Sequence, residues 1–405
     1  MSFASLAEPA IAGTVRQVGE YRLVILHTLD EIEALRDDWQ DLERRAGDYY
    51  AYFQSFDWCA NWCRVFEGDS ETGDGQIVIA CIYRDKLLVG LLPLVISRRP
   101  LGVRALCFLG EPLSQYGNIL VDRNAITTDA LGQIWEVFRG EVESDSIVLE
   151  RFPSFSPLAK IVESKGCSAP RGQFSSHMDL TRYDGWEDFQ ASLTRSARKS
   201  RNRRRKKLNA LGVVEQRVES GRSEGFREIA EAAIQHKTEW LQETGRRMSE
   251  IADPNTLELL CRLPGDAEAA SGALAFGLFL DGAPIAAEIG FAYGPHYYSY
   301  LGAFDWSLRD YSPGKVQLES ALYWCFENGM AHYDFLGNPS SYKDDWSNRT
   351  LPLMNYSSSN SARGYLYAHH WKPLVKPAAK RLFHTLPVPV RRGLAGMAGG
   401  SGSQG

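Results

Sequence analysis

Ser312-Pro313-Gly314-Lys315 is the first stretch whose residue types suggest chemistry. It follows an aromatic, β-prone segment, Tyr297–Asp305. It precedes Val316–Asn328, where Val316, Ala321, Trp324, Cys325 and Phe326 recur among hydrophilic neighbours in a helical pattern. Proline fits a first helical turn because its missing N–H has no intrahelical partner there, and glycine lets a ligand approach the backbone. The free N–H groups and positive dipole end of such a helix suit a phosphate. The same residues also make an ordinary helix start.

Three titratable residues extend the set. Glu288 shares a strand face with Ala286 and Gly290, small residues that leave room for a substrate. It can act as a base, or be a solvated strand-edge glutamate. Asp334 closes Ala331-His332-Tyr333-Asp334. It can orient an acceptor or assist proton removal, or simply make an Asx turn or an arginine pair. Lys343 can stabilise an oxyanion or bind phosphate, or sit solvated in a loop. Tyr298 and Tyr300 alternate with Tyr297 and Ser299, so one set faces the core and the other a cleft. Cys325 reads as core, which argues against an acyl-cysteine step. No Ser/His/Asp triad or metal-ligand set stands out.

The elements that position these residues follow from patterning. Thr28 with Glu31 forms a capping-box pattern ahead of Ile32, Leu35, Trp39 and Leu42. Gln76–Tyr83 and Leu87–Ser97 read as a hairpin about Arg84-Asp85-Lys86, and Leu274–Leu280 and Pro284–Tyr293 as another about Asp281-Gly282. After each hairpin comes a strand ending in Leu-Gly, Leu109-Gly110 and Leu301-Gly302, then a loop, a helix and a strand. Two α/β modules of one plan are the natural inference. Aligning Asp85 with Asp281 sets Leu92 against Glu288, so the first module lacks the carboxylate. Its second helix is expected from Ile126, after Asp122-Arg123-Asn124-Ala125, with no Pro-Gly. The ligand site is expected in the second module, and the first shapes the acceptor cleft.

The chain has 405 residues, enough for two full cores, with ordinary apolar (44%) and charged (23%) content. A net charge of −5 excludes a generic nucleic-acid binder, DNA included. Seven cysteines are spread along the chain, most in apolar surroundings, which suits reduced thiols in a cytoplasmic protein. No secretory signal pattern is visible, and the longest apolar run, Leu87–Ile96, is half a membrane span. One helix is expected through Trp186, Phe189, Leu193, Ala197, Leu208 and Leu211. Within it, Arg195–Lys207 holds nine basic residues and no acid. That run is a solvated face or the site of a polyanion such as a lipid-linked diphosphate, tRNA, anionic membrane or cyclic dinucleotide. The apolar stripe extended along it passes Arg204, which is expected to point inward. The basic stretch Trp371–Arg392 leaves a peripheral contact with the inner membrane open.

The order of these motifs resembles the GNAT acyltransferase superfamily, its FemAB-like double-module branch, and most closely the CelD (BcsL) type linked to cellulose and exopolysaccharide synthesis. The likeness rests on Phe53-Gln54-Ser55-Phe56-Asp57-Trp58 with Trp62, Leu91-Leu92-Pro93-Leu94, Leu109-Gly110 with Gln115-Tyr116, and Arg198–Lys207. It continues through Asp281-Gly282, Ile285-Ala286-Ala287, Tyr300–Asp305, Ser312-Pro313-Gly314, Asp334-Phe335-Leu336-Gly337 and Tyr342-Lys343.

The resemblance implies an α/β (α+β) fold of two GNAT-like modules, each a mixed central sheet flanked by helices. The boundaries expected are a loose terminus at 1–20, a catalytically silent module at 21–170, an acyl-CoA module at 171–368 and a basic then Gly-rich tail at 369–405. It further implies acetyl-CoA as co-substrate at Arg309, Ser312, Pro313, Gly314 and Lys315, and no metal. Only Arg309 and Gly314 match the superfamily's phosphate-loop pattern. Glu288, Asp334 and Lys343 are the catalytic candidates. Gln115, Tyr116, Tyr298, Tyr300 and Arg204 are the substrate contacts. The acceptor implied is an amino sugar of an exopolysaccharide precursor, lipid-linked or free. The alternatives are a FemAB-type transfer from aminoacyl-tRNA, in which Lys343 matches a lysine at the reacting centre, and a non-catalytic effector-binding protein of polysaccharide secretion.

Overall fold

The computed structural model describes residues 14–66, 75–163, 173–246, 249–337, 343 and 345–375. The chain divides into two compact units, Met1–Gln173 with Pro352–Leu374, and Phe174–Leu351 with Val375–Gly405. Both have the mixed α/β character expected from the sequence.

In the first unit β1 (Thr14–Val18), β2 (Tyr21–Leu26), β3 (Gln76–Arg84), β4 (Leu87–Arg99), β5 (Val103–Phe108), β6 (Leu120–Val121) and β7 (Ser146–Pro153) combine with five helices. These are α1 (Leu29–Ala34), α2 (Arg36–Ala46), α3 (Phe56–Phe66), α4 (Thr128–Glu141) and α5 (Pro157–Glu163). The sheet runs β1-β2-β3-β4-β5-β7, with β6 paired to β4, and only β5 and β7 are parallel. The α1 capping box forms as expected, Thr28 accepting from Glu31 N and Glu31 from Thr28 N. Helix α4 buries Leu131, Ile134, Trp135 and Phe138 against the sheet. Burying a side chain of this size is worth roughly 1.5–3 kcal/mol.

In the second unit the strands are β8 (Phe174–Asp179), β9 (Val214–Ser220), β10 (Gly265–Asp266), β11 (Ser271–Leu280), β12 (Ala283–Tyr293), β13 (His296–Phe304) and β14 (His332–Asp334). The helices are α6 (Trp186–Ser192), α7 (Arg195–Asn209), α8 (Glu224–Thr244), α9 (Ser249–Ala252), α10 (Pro254–Arg262) and α11 (Pro313–Glu327). The sheet runs β8-β14-β13-β12-β11-β10, with β9 on β11. A last strand, β15 (Arg349–Ser359), pairs with β7 from Leu353 onward, and α12 (Ala362–Leu366) comes after it.

Three expectations are corrected. Thr14–Val18 is a paired strand, not part of a loose terminus; its sequence TVRQV is polar and mostly exposed, so it carries no alternating signal. The single helix expected from Trp186 is two, because Leu193 is extended and the Thr194 hydroxyl caps α7 by accepting from Ala197 N at 3.1 Å. Helix α4 starts at Thr128 rather than Ile126, capped by Thr127, which accepts from Ala130 N. Asp122, farther upstream, is paired with Arg45 at 2.7 Å. Tyr342 and the tail from 376 lie outside the described residues. Among those described, no helix is long and apolar enough to cross a membrane.

Candidate active site

Strands β13 and β14 are parallel but pair only over His296–Tyr298 and His332–Asp334. β14 ends there while β13 continues to Phe304, so the two part after Tyr298. At the same point β13 bulges. Gly290 pairs with Ser299 and Ile289 with Leu301, leaving Tyr300 as the extra residue. Bulges bend a strand, re-aim its side chains and recur beside active sites. Beyond it Gly302 is exposed, with no atom within 4 Å of where a Cβ would stand. The Tyr300 ring lies 5.0 Å from that of Phe291.

Glu288 pairs across to Gly302 on β13. It is buried, which excludes the solvated strand-edge alternative. Its Oε1 accepts from the hydroxyls of Tyr333 at 2.6 Å and Tyr297 at 2.9 Å. Burial pushes the carboxyl above its ordinary range, while hydrogen bonds from Tyr333, Tyr297 and Ser299 pull it back. A buried carboxyl poised upward in this way suits a proton acceptor.

Asp334 lies on the opposite face of the sheet, because its strand neighbour Tyr333 points to Glu288. Its Oδ1 accepts from Leu336 N at 2.7 Å, the Asx-turn geometry, with Leu336 at φ 60°. His296 Nε2 and His177 Nδ1 lie 3.3 and 3.6 Å from its Oδ2. Burial lowers the His177 imidazole to about 4, so it is neutral near pH 7. Tyr298, buried, is the cross-strand partner of Asp334.

Lys343 is buried too, and its Nζ donates to the carbonyls of Phe335, Gly337 and Leu336 at 2.6, 2.9 and 3.4 Å. Burial pushes its ammonium down to about 8, opposed by the Asp334 carboxylate. Asp334 and Lys343 therefore clamp one turn at the end of β14. The structure places them together and Glu288 apart.

Helix α11 begins as expected at Pro313, but Ser312 enters it at φ 56° and its side chain makes no capping bond. Lys315 is exposed in the first turn. Gly314 has a packing reason as well, since a Cβ there would meet the Phe304 ring at 2.8 Å. Arg309 faces elsewhere. It lines a hollow of about 600 Å³ with Glu239, Gln242, Glu243, Asp305, Trp306 and Ser307. Three carboxylates against one guanidinium make that hollow unsuited to a phosphate.

Along α7 the inward arginine is Arg201, not Arg204. Arg201 is buried between Glu319 (3.6 Å) and the Trp346 ring (4.0 Å to the centroid), and Arg205 also reaches Glu319 at 3.2 Å. Arg204 is half-buried and donates to Ser200. The apolar stripe passes both arginines, three residues apart on one helix, and it is Glu319 and Trp346 that take Arg201 inward. Arg195, Lys199, Arg203 and Lys206 form the exposed side. In the first unit, Gln115 accepts from Arg151 at 3.4 Å, and Tyr116 is buried 6.3 Å from Phe53. Sequence reasoning missed Tyr297, Tyr333, His177 and His296 as site members. Tyr297 and Tyr333 each sit in an alternating aromatic strand, which was the available signal for the tyrosines; the histidines had none.

Residues 195–344 match the family model described as an acetyltransferase (GNAT) domain. The chain is an acyltransferase with a GNAT domain in its second unit. The match begins at α7 and includes Glu288, the bulge, α11, Asp334 and Lys343. Among solved structures, FemX is similar over 85% of this chain and 98% of its own, at 13% identity and a TM-score of 0.56. A C-terminal domain from Agrobacterium fabrum assigned to a putative lysylphosphatidylglycerol synthetase is similar over 84% and 95%, at 14% identity and a TM-score of 0.53. At such identities the likeness is one of fold. No curated protein matches the sequence.

Proposed function

We propose that the protein transfers an acetyl group from acetyl-CoA to an amino group, or a hydroxyl, of a sugar in a bacterial exopolysaccharide precursor. The observation that carries this reading is the Tyr300 bulge. It stands where β13 and β14 part, and the same strand leads to the uncapped start of α11. In this reading the first turn of α11, with Ser312, Gly314 and Lys315, takes the CoA diphosphate. The open side of β13 at Gly302 takes the thioester arm.

The acceptor nitrogen attacks the thioester carbonyl carbon, and the C–N bond forms as Glu288 takes the proton. The tetrahedral oxyanion then collapses, the C–S bond breaks, and CoA leaves as the thiol after proton uptake. No covalent enzyme intermediate is involved. Asp334 and Lys343 act by holding the turn that walls the opening. The anionic hollow at Glu239, Glu243 and Asp305 suits a polar or cationic acceptor. The ridge Arg195–Lys206 suits the phosphates of a lipid-linked sugar, or a cyclic dinucleotide acting as regulator. The resemblance to the CelD (BcsL) type supports the polysaccharide direction.

Calorimetry with acetyl-CoA, followed by transfer of labelled acetyl to amino sugars, tests the reading. Absence of both heat and a thermal shift with acetyl-CoA contradicts the donor. The α7 ridge also favours a second reading, an aminoacyl-tRNA donor. Salt-dependent filter binding of charged tRNA, with no response to acetyl-CoA, would establish that one instead.

A further inference from the structure

The face of the second sheet away from Glu288 carries a polar cluster whose two histidines acyl transfer, as read above, does not use. His177 on β8, Asp334 on β14 and His296 on β13 come from three adjacent strands and are almost wholly buried. One ligand atom from each lies within 4.8 Å of the others. Both imidazoles converge on the same oxygen, Asp334 Oδ2, at 3.3 and 3.6 Å. Those separations are long for N–H···O bonds, which centre near 2.9–3.0 Å. These two edges are close to that of a tetrahedral coordination sphere, about 3.4 Å for bonds of about 2.1 Å, and the third, between the imidazole nitrogens, lies within 4.8 Å.

Two of the groups that would not ligate are already held. His177 Nε2 lies 2.6 Å from Ser175 Oγ, and Asp334 Oδ1 accepts from Leu336 N at 2.7 Å. Such outer bonds fix tautomer and ring orientation in metal sites. The charged surroundings are mixed. Lys343 and Arg349 act electrostatically on the cluster, as does His332. Asp179, on the same face, lies 3.9 Å from His332 Nδ1 and supplies a second carboxylate.

We infer that His177, His296 and Asp334 form a binding site for a divalent transition metal of the zinc class, with a fourth position open. Two imidazoles and one carboxylate suit Zn²⁺, Co²⁺ or Fe²⁺ rather than Mg²⁺ or Ca²⁺, which prefer all-oxygen shells. The half-exposed His332 marks the side from which an ion enters. The site lies on the face opposite Glu288 and is independent of the acyl donor.

The test is a Co²⁺ titration of the full-length, chelator-treated protein, monitored by visible ligand-field absorption. The expected result is one equivalent per chain with tetrahedral absorption, displaced by Zn²⁺, and a Tm that rises with Zn²⁺ concentration. His177→Ala and His296→Ala should each weaken binding by about tenfold or more. Wild-type protein with no absorption and no Tm response overturns the site, whatever the variants do. So does undiminished binding in a folded double variant.

Discussion

In both units an aspartate in the left-handed region turns one long strand into the next, Asp85 between β3 and β4 and Asp281 between β11 and β12. Both hairpins then slip register at the same place, leaving Val89 and Ile285 as extra residues. The shared offset pairs Leu92 with Ala80 and Glu288 with Phe276. It also sets Leu109, whose N–H donates to Pro93 O at 3.1 Å, against Leu301, which pairs with Ile289. The register agrees throughout except for one residue, Tyr300, present only in the second unit.

Beyond that position the two units diverge. In the first, β5 pairs with β4 without a slip and ends at Phe108. Gly110, at φ 83°, turns the chain away, and a Cβ there would strike Ser114 Oγ and Trp58 Nε1. The short strand β6 then covers β4 at Gly90 and Leu91. The corresponding helix is closed by Thr127. In the second unit the strand bulges and runs on, Gly302 faces open space, and α11 starts uncapped. An apolar, sealed position has become a buried carboxylate beside an opening.

Glu288→Gln should have the largest effect, lowering kcat by roughly 10²–10⁴-fold. The amide still accepts from Tyr297 and Tyr333 and removes a buried charge, so folding should hold. The pH dependence follows from the raised carboxyl. Activity should climb with pH along a limb centred above the ordinary glutamate range. The native state holds this proton to higher pH than the unfolded chain, so the contribution to stability is full at low pH. It is lost as pH rises through the folded-state value. The stability difference between Glu288→Gln and wild type should therefore widen in favour of Gln as pH increases.

Gly302→Val should seal the second unit as the first is sealed. Acetyl-CoA affinity should fall about tenfold or more by calorimetry. Melting temperature should be unchanged or higher, because valine suits a strand and restricts the unfolded chain. Lys315→Glu should weaken the donor by roughly three- to tenfold at low salt, and less at high salt. Thr127→Ala, its counterpart in the first unit, should cost about 1 kcal/mol of stability in denaturant titration and leave donor affinity untouched.

The hairpins, the turn aspartates and the Leu92–Glu288 correspondence were legible because period-two alternation and turn residues carry them directly. The helix start at Pro313 was legible for the same local reason. The bulge was not, since one extra residue within Tyr298-Ser299-Tyr300-Leu301 leaves no mark until the partner strand's register is known. Nor was the enclosure of Glu288, because its phenols come from two strands that meet only in the fold. His177, His296 and Asp334 lie far apart in sequence, and single histidines in strands carry no spacing signal. Arg201 and Arg204 are three residues apart in a basic run without an acid, and the partners that select Arg201, Glu319 and Trp346, come from distant sequence.

Hydrogen–deuterium exchange with and without acetyl-CoA tests most directly the claim that the second unit alone holds the donor. Protection is predicted in peptides covering residues 299–316, with none in the corresponding stretch 108–131. Protection in the first unit, or in neither, would contradict the account.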